Sequence, residues 1–251
     1  MKKDTGSVAL FGDDLQKGFE NMTQEDMALP FVRILGQLSP QVTDGDAKYI
    51  DGAKPGMIYN TVTSECFDGK KGIKVIPCYY KKDFPEWSDR GDGPGAPVAV
   101  HLPNSPVIQT GKRDGSKIRL PNGNYLEETA SYYVLVETKA GGMTPALISM
   151  KSTQLNVSKK WNSMMKTIQI PDGKGGMAIP PMHGVVYNLQ SVLQKNDKGS
   201  WYGWSVTQDR IMGQEDKSLY LTAKDFNSTA AKGNVQTKAD VEEKAKDSTP
   251  Y

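Results

Sequence analysis

From Ala146 to Met150 the chain runs Ala-Leu-Ile-Ser-Met, a short apolar strand pattern, and passes almost without a linker into a basic amphipathic helical pattern that lasts to Ile168. Within that pattern Val157, Trp161, Met164, Met165 and Ile168 recur at the spacing of one face of a 3.6-residue repeat. Ser152, ahead of the first turn, is placed to cap it. Most other apolar segments are short, alternating and bounded by turn residues, so this helix has to be fitted into a chain that otherwise folds as hairpins. Lys139, Lys151, Lys159, Lys160 and Lys166 lie between Thr138 and Pro171, where there is no Asp or Glu. Two readings stand for such a run: a solvated helix face, or the electrostatic footprint of a polyanion.

A chain of 251 residues can bury one sizeable core, and its 25 glycines and 15 prolines are typical of a turn-rich globular protein. Cys66 and Cys78 form no CxxC pattern and His101 and His183 stand apart, so the ligands of a zinc site are in short supply. The cysteines could face each other across a hairpin, but a single pair in a chain of this length reads as reduced thiols. No apolar run reaches the roughly 18 residues of a membrane span, and Met1-Lys2-Lys3-Asp4 opens no signal peptide; a soluble intracellular protein is expected. The net charge is only +2, yet residues 1–26 hold three lysines against six acids while the middle of the chain is basic.

Along the chain, residues 1–22 read as a flexible acidic arm, and Thr23-Gln24-Glu25-Asp26 as a capped turn that Pro30 soon interrupts. Phe31-Val32-Arg33-Ile34-Leu35 is core, as strand or short helix. A first hairpin is expected between Gly56–Val62 and Ile73–Tyr80, with Pro77 demanding either an edge position or a bulge. Residues 87–97 and 103–124 are long polar excursions, the second carrying Lys112, Arg113, Lys117 and Arg119 against Asp114. A second hairpin pairs Ala130–Thr138 with Ala146–Met150, and a third pairs Val185–Gln194 with Trp201–Gln208 through Asn196-Asp197-Lys198-Gly199. A weak helical pattern at Glu215–Phe226 leads into a polar tail, 227–251, read as disordered. The expected fold is mainly β, an OB-like Greek-key barrel over residues 23–226 with one helix between strand pairs, inserted loops and flexible termini. Another barrel or a sandwich fits the same element order.

Catalytic chemistry is under-supplied. No HxxxH, GxSxG, CxxC or paired D-x-D pattern stands at a strand end, and the adjacent carboxylates Glu127-Glu128 and Asp89 with Asp92 fit solvated loops better than a metal-dependent nuclease. No enzyme activity, cofactor or metal is expected. Aromatic residues interleaved with cations stand out instead. Rings stack on the bases of a single strand while Lys and Arg follow the phosphates. Period-two alternation puts Tyr202, Trp204 and Val206 on a core face, leaving Trp201 outside; Tyr132, Val134 and Val136 likewise leave Tyr133 opposite, and the helical stripe claims Trp161 for the core. The stacking candidates are Tyr80, Trp87, Tyr133 and Trp201. The phosphate candidates are Lys81, Lys82, Arg90, Lys112, Arg113, Lys159 and Lys160.

Leu29-Pro30-Phe31, Pro55-Gly56-Met57-Ile58-Tyr59-Asn60, Val75-Ile76-Pro77-Cys78-Tyr79-Tyr80 with Trp87, Asn122-Gly123-Asn124-Tyr125, Lys159-Lys160-Trp161-Asn162, and Asn196-Asp197-Lys198-Gly199 with Trp201 and Trp204 together resemble a family of tailed-phage single-stranded DNA-binding replication proteins. The resemblance spans roughly residues 23–210. It implies a non-catalytic protein of the host cytoplasm that coats single-stranded DNA without sequence preference during phage replication or recombination. The expected partner is single-stranded DNA, with phage replication proteins and further copies of the chain as candidate partners and no membrane. One departure is the tail: residues 227–251 hold four lysines against four acids, not the acidic end through which proteins of this functional type recruit replication enzymes. The competing expectation is a structural or accessory virion protein without catalytic activity.

Overall fold

The computed structural model describes residues 10, 12–14, 17–22, 26–89, 96–197 and 199–233. In chain order the strands are β1 (Val32–Ile34), β2 (Ile58–Asn60), β3 (Cys66–Phe67), β4 (Ile73–Trp87), β5 (Ala99–His101), β6 (Lys112–Asp114), β7 (Lys117–Arg119), β8 (Tyr125–Glu127), β9 (Thr129–Glu137), β10 (Met143–Lys151), β11 (Ile170–Pro171), β12 (Met177–Ala178), β13 (Val185–Asn196) and β14 (Gly199–Ile211). The α-helices are α1 (Pro106–Thr110), α2 (Leu155–Thr167) and α3 (Lys217–Ala231). The protein is mainly β, a curled antiparallel sheet with few helices.

The fifteen residues of β4 order the sheet. Its first half lies between β13 and β9, and β14 and β10 continue outward, giving the antiparallel order β14–β13–β4–β9–β10. Pro77 has no N–H to give the ladder, and the register with β9 slips between Pro77 and Tyr79, leaving Cys78 without a partner. Of the two outcomes expected at Pro77 it is the bulge that occurs, in a central strand. Inside the curl, Val75, Tyr132, Val134, Ile148, Met150, Tyr187, Leu189 and Trp204 form the main core. Helix α2 seals it with Trp161, which is fully buried, stacks on Tyr132 at 4.3 Å and meets Tyr187 edge-on at 5.6 Å. The Tyr132 hydroxyl lies 2.7 Å from Ser158 Oγ and 2.9 Å from Asn162 Oδ1, so the buried ring brings its polar atom to a partner. The expected helical stripe is therefore real, but Ser152 does not cap it. Ser152 opens a 3-10 turn at φ +51°, and no side-chain cap bond forms.

The hairpins β9–β10 and β13–β14 are those expected from the sequence. The first expected hairpin is not formed: β2 pairs with β1 and β3, and β4 finds β13 and β9 instead. The β1–β2–β3 layer sits between the two edges of the curl. Leu147 N donates to Pro30 O at 2.8 Å and Phe31 bridges Leu147 in parallel, and β1 packs against β14 on the other side; separately, Trp204 N of β14 donates to the side chain of Gln154, in the turn before α2, at 2.7 Å. Gly203 admits that crossing side chain, because a Cβ there would stand 2.4 Å from Gln154 Nε2.

The outer side of the sheet carries a second core. Ile76, Cys78, Leu135, Leu147 and Val186 meet Ala223 and Phe226 of α3, which runs five residues past the expected helical segment and buries Ala230 as well. Cys66 and Cys78 are free thiols, as expected. The second half of β4 leaves the curl and builds a small sheet with β5 on one side and β8, β7 and β6 on the other, over an apolar cluster of Phe84, Ile118, Leu120 and Leu126. The polar excursion 103–124 is thus largely structured. The expected turn at Thr23-Gln24-Glu25 and most of the expected arm and tail lie outside the described residues.

Candidate nucleic-acid interface

Beyond its bulge β4 holds one register with the chain on its flank, from Tyr79 opposite Tyr133 to Trp87 opposite Tyr125. Opposed residues of an antiparallel pair share a face, as do alternate residues of one strand. Tyr79, Lys81, Asp83 and Trp87 therefore lie on one face, with Tyr133, Ser131, Thr129 and Tyr125 beside them. This is the side away from the Tyr132–Trp161 core. At one end the rings of Tyr79 and Tyr133 lie 5.7 Å apart, tilted by 55°.

At the other end the row widens across the small sheet. Trp87 stands opposite Tyr125, Tyr125 opposite Arg119, and Arg119 opposite Lys112. Lys117 Nζ lies 3.5 Å from the centroid of the Tyr125 ring and Arg119 Cζ 5.6 Å from it, close enough for cation–π attraction. The reason is the alternation Lys117-Ile118-Arg119 and Tyr125-Leu126-Glu127. Ile118 and Leu126 are buried below, so their neighbours are turned outward. The result is a half-exposed floor of indole and phenol rings edged by cations.

Several of these charges are already matched. Lys81 lies 3.0 Å from Asp83, Lys151 2.7 Å from Glu127, and Arg119 3.0 Å from Asp89 and 3.5 Å from Asp114. Burial pulls the Lys81 ammonium down, but the hydrogen bond and charge of Asp83, with Tyr133 and Tyr79 nearby, outweigh it and hold the ammonium above its ordinary value. Lys112 and Lys117 make no ion pair among the described residues.

The structure brings Tyr133 and Lys81 together on this face, and Trp87 with Lys112 at its far end. Tyr80 points to the interior, 5.1 Å from the Tyr132 ring. Lys82 shares that interior side, opposite Ala130, ion-paired with Glu128. Arg113 stands opposite Ile118, on the reverse of the small sheet. Trp201 lies near the tip of the β13–β14 hairpin opposite Gln194, two strands from β4. Lys159 and Lys160 are exposed on α2, which packs on the interior side. Arg90 lies outside the described residues. Tyr79, Tyr125, Lys117, Arg119 and Lys151 are additional residues of the face, and the period-two pattern of 117–120 and 125–127 was the signal for three of them.

Below this face Glu86 is buried and fully engaged: Asn124 and Asn122 donate to one carboxylate oxygen at 2.6 and 3.1 Å, and His101 Nε2 lies 2.7 Å from the other. The hydrogen bonds from Asn124, His101 and Asn122 hold its carboxyl below the usual range against the opposing effect of burial. The network ties β4, β5 and the loop before β8 together, so it fixes the small sheet. Among the described residues no three of His, Cys, Asp and Glu are grouped to hold a metal ion, and no helix is long and apolar enough to cross a membrane.

A family model described as Pam3 phage gp34-like protein matches residues 2–236. No curated protein and no solved structure matches the chain.

Proposed function

The chain belongs to the Pam3 phage gp34-like protein family, and from that premise we propose that it is a non-catalytic single-stranded DNA-binding protein that serves phage DNA replication or recombination. The observation that carries the reading is the register-locked row Lys112, Arg119, Tyr125 and Trp87, on the same face of β4 as Lys81 and Tyr79. Rings spaced along a sheet face offer stacking planes to successive bases, and cations at their edges meet the phosphates, a combination indifferent to sequence. The strand order β10–β9–β4–β13–β14, with α2 between β10 and β13, matches the order third, second, first, fourth and fifth expected of an OB-like barrel, and this supports the reading. OB barrels take oligonucleotides on the face of their second and third strands and on the loops between the first and second and between the fourth and fifth. On this reading those correspond to β9, β10, the insertion that carries β5 to β8, and the β13–β14 turn near Trp201.

The ion pairs favour a second reading, a structural or accessory virion protein. Arg119, Lys81 and Lys151 are each matched by carboxylates, so the face is largely neutral by itself. Fluorescence anisotropy with labelled oligo-dT, set against a duplex of the same length, separates the two. Tight single-strand binding that falls when Trp87 and Tyr125 become alanine supports the first; equal weak retention of both DNAs by wild type and variant supports the second.

A further inference from the structure

Beside β1 a cleft of about 540 Å³ opens between the sheet edge and the loop of residues 41–50. Its size is within the range of roughly 300–1,000 Å³ usual for small-molecule sites. Its walls include Phe31, Tyr49 and Tyr59, the cations Arg33 and Lys48, and Gln41; among the described residues lining it there is no carboxylate. The Arg33 guanidinium lies over the Phe31 ring at 5.5 Å, joining cation and aromatic plane in one wall. The lip is firmly built. Asn60 Oδ1 accepts from Val62 N and Thr63 N at 3.0 and 3.1 Å, Thr61 N donates to Phe31 O, and Ser64 is held at φ +59°, a costly conformation for a residue with a Cβ.

The cleft is linked to the face described above through packed side chains. Phe31 bridges Leu147, Leu147 stands opposite Tyr133, and Tyr133 opposite Tyr79, and Phe31, Leu147 and Tyr133 share the outer apolar cluster. The contacts from the Tyr79–Tyr133 end of the face thus reach the cleft wall through Leu147, which is buried in the outer cluster under α3. Resting on the single-stranded DNA reading, we propose that this cleft takes one nucleotide of the bound strand, its base between the Phe31, Tyr49 and Tyr59 rings and its phosphate toward Lys48 and Arg33. A nucleotide is an anionic aromatic group, and the lining offers planes for the ring, an amide for its polar edge and positive charge for the phosphate.

The test uses the full-length protein and small probes. Calorimetric titration with thymidine 5′-monophosphate is compared with thymidine and with inorganic phosphate, on wild type and on Tyr49→Ala and Lys48→Glu, both at exposed positions, with thermal melts to confirm folding. The nucleotide should bind more tightly than either fragment, and each variant should weaken it tenfold or more, while Leu221→Ala, at an exposed position of α3, leaves it unchanged. Absence of nucleotide binding, phosphate binding as tightly as the nucleotide, or indifference to both variants would overturn the cleft assignment. Oligo-dT distinguishes the two readings: if it binds while the mononucleotide does not, the cleft fails and the sheet face stands. If the mononucleotide binds but oligo-dT is no tighter, the cleft stands as a nucleotide site and the strand-binding reading fails.

Discussion

Trp87 and Trp161 are both tryptophans in the middle of aromatic and basic sequence, and truncating each should give opposite outcomes. Trp161 is fully buried, stacked at 4.3 Å on Tyr132 and edge-on to Tyr187. Replacing a buried Trp by Ala costs about 3–5 kcal/mol, through lost transfer energy and the cavity left behind. The two ring contacts place Trp161→Ala in the upper part of that range. Trp87 is half-buried on the floor beside Tyr125, so Trp87→Ala should cost about 1 kcal/mol of stability, as an ordinary substitution does. It should instead remove a stacking plane, a loss of about 1–3 kcal/mol in binding, or roughly 5- to 150-fold in Kd for oligo-dT. Urea unfolding followed by circular dichroism reads the first quantity and anisotropy titration the second. A Trp87→Ala protein destabilised as much as Trp161→Ala, with oligo-dT affinity within twofold of wild type, would show that Trp87 is scaffold and refute the reasoning.

Charge reversal separates the sheet face from the helix. Lys112→Glu/Lys117→Glu should flatten the salt dependence of oligo-dT affinity by about 1.4 in log–log slope, two contacts at roughly 0.7 each, whereas Lys159→Glu/Lys160→Glu should leave affinity within twofold; the reverse would move the site to α2. The Glu86 carboxyl is held below its ordinary 4.5 in the folded protein, so its contribution is present above that pH and is lost as pH falls through the lower folded value. Glu86→Gln should therefore lose less stability than wild type on acidification below about pH 4.5, and parallel acid-unfolding curves would remove Glu86 as a cause. Burial pushes the Cys78 thiol up to about 12, while Cys66 is half-exposed and only raised. An aromatic disulfide reagent near neutral pH should accordingly titrate one thiol in the native protein and the second only on unfolding; two thiols reacting at equal rates in the native state would contradict the packing of Cys78 under α3.

The parts of the fold legible in the sequence are those whose information is local. Val134 and Val136 alternate with Tyr133 and Leu135, Gly141-Gly142 marks the turn, and β9–β10 follows; Asn196 to Gly199 does the same for β13–β14. Pro77 announced an edge position or a bulge because a missing N–H needs no tertiary context, and the bulge is what forms. The first hairpin misled because β2 and β3 have only three and two residues, too short to show a period, and because β4 pairs with residues 187–189, over a hundred positions away. Ser152 has the chemistry of a cap, but the direct passage from β10 into α2 forces it to φ +51°, where its hydroxyl caps nothing. In the site, Tyr133 was legible as a ring off the core face, and Trp87, Lys81 and Lys112 as aromatic and basic residues of interleaved or loop sequence. Lys117 and Arg119 read only as charges of a polar excursion and Tyr125 follows it, because the period-two pattern that aligns them is confined to strands of three residues. Tyr80 and Lys82 were misplaced by the register: opposite Tyr132 and Ala130, they turn inward.

The salt dependence of oligo-dT binding tests the central claim most directly. If Lys81, Lys112, Lys117, Arg119 and Lys151 each meet a phosphate, five contacts at roughly −0.7 give a slope of log K against log salt of about −3 to −4, with single strand preferred over duplex. A slope near zero, or a duplex bound as tightly as oligo-dT, would contradict it.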